Sequence, residues 1–167
     1  MLCFIPLFIG AVLADKALWT LVSPVANQLE TPGHAMSFNY TINAMSTDPQ
    51  QQTLLGNKPN YPRSLDVYFQ WTTKNESQKI QLTATKSLVT DPYPGGIKDK
   101  SYEHIWRLPN CRFFKRYQPE QWTFSLLFQP VYENIIAKPM SVPLTLSLNQ
   151  TLPSTHGKHH RNNQECL

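Results

Sequence analysis

Glycine, cysteine and charge are all scarce in this chain, and no apolar stretch is long enough to span a bilayer. Only 6 glycines stand against 14 prolines in 167 residues. Proline removes a backbone donor and fixes φ, so the balance disfavours long helices and suits short strands joined by rigid turns. With 3 cysteines the chain cannot be a dense disulfide scaffold. No Gly-x-Ser-x-Gly elbow, Gly-rich phosphate loop, His-Glu-x-x-His or Cys-x-x-Cys occurs. Nothing in the spacing unites a nucleophile with a base, so the chain is read as non-catalytic, with no cofactor and no catalytic or metal site. An enzyme of sugars working through two carboxylates is the alternative of that class; it requires two acidic side chains to meet in a cleft.

What the chain does have begins at residue 2. Residues 2–14 are all apolar or small. The run falls short of the roughly 20 residues a membrane helix needs, and it fits the apolar region of a signal peptide. Val12 and Ala14 place small residues where a signal peptidase reads, so residues 1–14 are expected to leave with a cut before Asp15. No Lys or Arg precedes the run. The competing reading joins it to residues 17–22 as a retained anchor, against which the intervening Asp15 and Lys16 argue.

Three Asn-x-Ser/Thr sequons follow, at Asn39, Asn75 and Asn149. Each is weak alone, but their phase is informative. Met36, Phe38, Tyr40 and Ile42 alternate with Ser37, Asn39, Thr41 and Asn43. Alternate side chains of a strand face opposite sides, so Asn39 falls on the polar face. Val142, Leu144, Leu146 and Leu148 place Asn149 on the polar phase in the same way. Asn75 lies in the polar turn Lys74–Ser77. A glycan must face solvent, and all three positions meet that requirement.

Strand patterns dominate elsewhere. Leu65, Val67, Phe69 and Trp71 alternate with polar residues, as do Ile80, Leu82 and Ala84, and Trp122, Phe124, Leu126 and Phe128. Residues 64–73 and 78–85 read as a hairpin around a four-residue turn. Weaker strands are expected at 17–22, 87–90, 102–108, 112–115 and 131–137. Two long connections, 44–63 and the one starting at Asp91, complete the body, and the polar tail 153–167 is expected to be disordered. Seven or eight short strands with a clean apolar face predict an all-β fold: one β-sandwich over 15–152, immunoglobulin-like, fibronectin-like or a jelly roll. The Cys, Trp, Cys hallmark of immunoglobulin domains is missing, so the sandwich is expected to be disulfide-poor. Cys111 and Cys166 permit one intrachain bridge, and Cys166 also has the option of pairing with another chain.

The net charge of +4 resides entirely in residues 98–116, where Lys98, Lys100, Arg107, Arg112, Lys115 and Arg116 outnumber Asp99 and Glu103. This stripe is a candidate patch for an acidic partner such as an anionic glycan, beside the plainer reading of a solvated face. Lys115-Arg116 is also a dibasic pair of the kind processing proteases cut in exposed loops. His34 and His104 stand alone. His156, His159 and His160 would hold a metal only weakly on a mobile tail. The expectation is a secreted, glycosylated protein that engages a cell-surface protein or receptor, with no nucleic acid and no stable membrane insertion once the signal is cut. A lumenal or membrane-anchored accessory subunit is the alternative.

Overall fold

A computed structural model describes residues 18–45, 61–134 and 136–148. The expected signal, Asn149, Cys166, the histidine-bearing tail and most of the 44–63 connection lie outside the described residues. The strands in chain order are β1 (Trp19–Ser23), β2 (Gln28–Glu30), β3 (Ala35–Ile42), β4 (Ser64–Thr73), β5 (Lys79–Leu88), β6 (Lys100–Arg107), β7 (Trp122–Val131) and β8 (Met140–Leu146). A short helix, α1 (Cys111–Arg116), joins β6 to β7, and a 3-10 turn at Pro94–Gly96 interrupts the connection from β5 to β6. The chain is mainly β.

The strands form two sheets, a three-stranded one in the order β1-β3-β6 and a five-stranded one in the order β2-β8-β7-β4-β5. All pairings are antiparallel except β2 with β8. Period-two patterning sets the inner faces. Met36, Phe38, Tyr40 and Ile42 of β3 are buried, as are Leu65, Val67, Phe69 and Trp71 of β4 and Phe124, Leu126 and Phe128 of β7. These residues of both sheets belong to one hydrophobic core. Phe38 meets Phe128 edge to face at 5.4 Å between ring centroids, and Trp106 of β6 meets Phe69 at 5.7 Å. The arrangement is sandwich-like: the two sheets face one another across aromatic side chains.

The strand expected at 112–115 is a helix instead. Asn110 caps it, its side-chain oxygen accepting from the Arg112 N–H at 3.1 Å. The reason is legible in the packing. Phe113 and Phe114 are adjacent in sequence, yet both touch Phe69, at 5.8 and 6.5 Å. A strand would point one of them to solvent. A helix also brings Tyr117, four residues on, beside Phe113 at 4.9 Å.

Other boundaries move too. Residues 87 and 88 end β5 rather than starting a separate strand. The 131–137 candidate reduces to an isolated bridge between Val131 and Ile136. The 64–85 hairpin forms as expected, with the four-residue turn 74–77 closed by the Thr73 N–H donating to the Gln78 carbonyl. Its second strand is irregular, with register shifts opposite Leu65–Val67 and Val67–Tyr68. Asp66 holds the first: its Oδ1 accepts from the backbone N–H of Ser87, which has φ of 55°.

Candidate binding surfaces

The outward phase of the three-stranded sheet is mainly polar, with Val22 and Ile105 as exposed apolar exceptions. Ser37 Oγ donates to Glu103 Oε1 at 2.8 Å, Thr41 Oγ1 and Ser101 Oγ lie 3.1 Å apart, and Asn43 Nδ2 donates to Thr20 Oγ1 at 2.8 Å. Asn39 stands among them, opposite Glu103 on one side and Ser23 on the other. Its neighbours Phe38 and Tyr40 are buried, so the sequence phase is the observed one. Asn75 is exposed in the β4–β5 turn. Its Oδ1 accepts from both the N–H and the hydroxyl of Ser77, the third residue of its sequon, at 3.2 and 2.7 Å.

The six cations of the 98–116 stripe separate into two groups. Lys98 lies over the Tyr93 ring at 4.1 Å, and Lys100 over Tyr102 at 5.0 Å. Arg107 ends the same strand that Lys100 begins. At about 3.3 Å per residue the two are roughly 23 Å apart along β6. They also sit on opposite phases of the strand. Arg107 Nη1 donates to the Gly33 carbonyl at 3.1 Å, and the Gly33 N–H donates to the Pro109 carbonyl, which ties this end of β6 to the approach to α1.

Arg112, Lys115 and Arg116 are exposed on α1, away from buried Phe114. Lys115 and Arg116 lie in the last turn, where cations complement the partial negative charge of a helix C-terminus. Arg116 sits 5.5 Å from the Tyr117 ring. The dibasic pair is therefore helical, not part of an open loop. Cys111 is the first residue of that helix.

Beneath α1 lies an aromatic layer that sequence inspection did not assemble. Trp71 meets Phe113 at 4.9 Å and Tyr117 at 5.1 Å, and Tyr117 meets Trp122 at 5.3 Å. Its only signal in the sequence is the Phe-Phe doublet followed at i+4 by Tyr117.

Burial raises one carboxyl, that of Glu30, and the phenols of Tyr40, Tyr61, Tyr68 and Tyr132. Glu30, 9 % exposed on β2, has its carboxyl raised above the usual value by desolvation, which outweighs the lowering effects of a Gln28 hydrogen bond and of His34. Its Oε1 is buried without a hydrogen-bond partner. Tyr40 is pushed up to about 12 by burial and by neighbouring Tyr102, while its hydroxyl donates to the Val89 carbonyl at 2.7 Å. His104 stacks on Phe38 at 6.1 Å, a packing contact. Among the described residues no group of three or more His, Cys, Asp or Glu side chains converges to hold a metal. Among the same residues no helix is long and apolar enough to cross a membrane.

No family model matches the chain, and no curated protein matches it.

Proposed function

We propose that this chain is a secreted, N-glycosylated, non-catalytic binding module of immunoglobulin-like type that engages a cell-surface protein. The observation that carries the reading is the placement of the two described sequons. Asn39 lies on the outward phase of a strand whose alternate residues are buried, and Asn75 lies in an exposed turn. Both are where a bulky glycan must be, and glycans are added in the secretory pathway.

The immunoglobulin-like type is supported by connectivity. The N-terminal stretch changes sheets at Pro24: β1 pairs with β3 in one sheet, and β2 pairs parallel with the last strand in the other. The order β2-β8-β7-β4-β5 is a sheet in which the last two long strands lie beside the hairpin, as in variable-type sandwiches. In that scheme β3 and β7 are the strands joined by the usual disulfide. Here Phe38 and Phe128 fill that position with an edge-to-face ring pair. A bridge from Cys111 to Cys166 forms part of the proposal. It is supported by the cysteine count: once residues 1–14 leave with Cys3, Cys111 and Cys166 are the two that remain.

The test is binding of the purified, secreted full chain to intact cells, read by flow cytometry. The reading predicts saturable binding that is lost when the cells are treated with trypsin. Binding abolished by heparinase alone would point to the cations of α1 and an anionic glycan instead, and absence of saturable binding across cell types would contradict the reading.

A further inference from the structure

Among the described residues four strands stand at sheet edges: β1 and β6 in one sheet, β2 and β5 in the other. Edges are a liability because their backbone groups template further pairing, and proteins blunt them with bulges, by keeping them short or with charged side chains. Three of these edges are blunted. β1 carries a register shift, β2 has three residues, and β5 carries two register shifts. β6 carries charges at Lys100, Glu103 and Arg107 but has neither a bulge nor a short ladder, and its charges are of both signs, so they select a partner strand rather than repel every one. Its ladder to β3 runs unbroken from Lys100 to Arg107, and among the described residues it pairs with no other strand.

A second observation falls at the same place. Three strands face five, and the packing of Trp106 on Phe69 sets β6 over β4. β5, one strand further out, is left uncovered along part of its length. Leu82 lies directly opposite Phe69 and so belongs to the inward face, yet it is 46 % exposed. Ile80 and Ala84, on either side of it, pack against the core. β5 and β6 approach one another elsewhere along their length, but among the described residues no strand lies beside β6 above Leu82.

We propose that this position receives one extended segment of the partner protein by β-strand addition; the inference rests on the reading of the chain as a binding module. The outward residues along this half of β6 are Glu103, Ile105 and Arg107. Ser37 anchors the Glu103 carboxylate, and the Gly33 carbonyl anchors the Arg107 guanidinium, through one oxygen and one nitrogen respectively. Each keeps a second charged atom for another partner. β6 is antiparallel to β3, and antiparallel pairing is the more stable per residue.

An incoming antiparallel strand then presents an acidic residue to Arg107, an apolar one to Ile105 and a basic one to Glu103. The two intervening residues face inward over Leu82 and must be apolar. The segment reads, from its N-terminus, acidic–apolar–apolar–apolar–basic. A second copy of this chain fits less well. Pairing β6 with its counterpart brings that copy's own β4, which lies under its Trp106, into the space occupied by β5.

The experiment uses the glycosylated full chain and labelled ten-residue peptides carrying Asp-Val-Ile-Val-Lys or the charge-reversed Lys-Val-Ile-Val-Asp at their centre, read by fluorescence anisotropy. The first is expected to bind about tenfold more tightly than the second, the scale of two cross-strand ion pairs. The double variant Glu103→Lys/Arg107→Glu reverses that preference, and Leu82→Lys, at an exposed position, weakens the first peptide at least tenfold. Binding of neither peptide at millimolar concentration, equal binding of both, indifference to Leu82→Lys, or a dimer in sedimentation that the Glu103 and Arg107 variants dissociate would each overturn the inference. Cell binding by the Leu82→Lys variant equal to that of the native chain would overturn it too, while leaving the binding-module reading intact. Failure of the native chain to bind cells would remove that reading, and the peptides would still decide whether the edge accepts a strand.

Discussion

Phe38 of β3 and Phe128 of β7 meet edge to face, ring centroids 5.4 Å apart, and both are fully buried. They join the centres of the two sheets. Phe38 also stacks on Trp106 at 5.9 Å, which joins the pair to a larger ring network. Truncating such a residue removes its transfer free energy and leaves a cavity that rigid sheets cannot close. Phe38→Ala is therefore expected to destabilise the fold by about 3–5 kcal/mol, and Phe38→Leu by much less. Urea denaturation of the two variants measures this. Equal, small losses would mean the ring pair does not hold the sheets.

Glu30 gives a pH dependence with a definite sign. Burial raises its carboxyl above the ordinary 4.5, so the folded chain holds this proton more tightly than the unfolded chain. The stabilisation is fully present below 4.5 and is lost as pH rises through the folded-state value. Glu30→Gln removes the charge at every pH. The urea midpoint of the native chain is expected to fall relative to that of Glu30→Gln between pH 4 and pH 7, with parallel curves as the contrary result.

Tyr40 titrates at the alkaline end. Its hydroxyl stays protonated to about pH 12, held by burial and near Tyr102. Its bond to the Val89 carbonyl ties β3 to the chain leaving β5. Tyr40→Phe is expected to cost about 1 kcal/mol at neutral pH. It should also remove the latest phase of the spectroscopic tyrosine titration; persistence of that phase would assign it elsewhere.

The helix α1 hangs on one cap. Asn110→Ala leaves the Arg112 N–H without its side-chain acceptor and is expected to cost about 1 kcal/mol. Because Trp71 lies against Phe113 and Tyr117, loosening α1 should shift tryptophan emission before global unfolding. An unchanged emission profile would show that the aromatic layer stands without the cap.

Strands whose alternate residues are buried in sequence order were legible. β3, β4, β7 and β8 lie where period-two patterning places them, and Asn39 lies on the face that pattern assigns. The misses have physical causes. α1 is six residues long and too short to display a helical period, and only its Phe-Phe doublet conflicts with a strand. β2 is three residues long and is held by parallel pairing to β8, a long-range contact that leaves no local trace. Leu82 reads as inward, and it is, but its exposure depends on how many strands the opposite sheet contains. The basic stripe is contiguous in sequence and divided in space because β6 is an extended strand that carries its ends apart.

The central claim is that the chain passes through the secretory pathway and carries glycans where the strand phase exposes asparagine. Site-resolved mass spectrometry of protein collected from culture medium, deglycosylated enzymatically in heavy-oxygen water, tests it most directly. The account predicts heavy-oxygen aspartate at positions 39, 75 and 149 and a mature N-terminus at Asp15. Protein confined to the cytosol with Asn39 and Asn75 unmodified would contradict it.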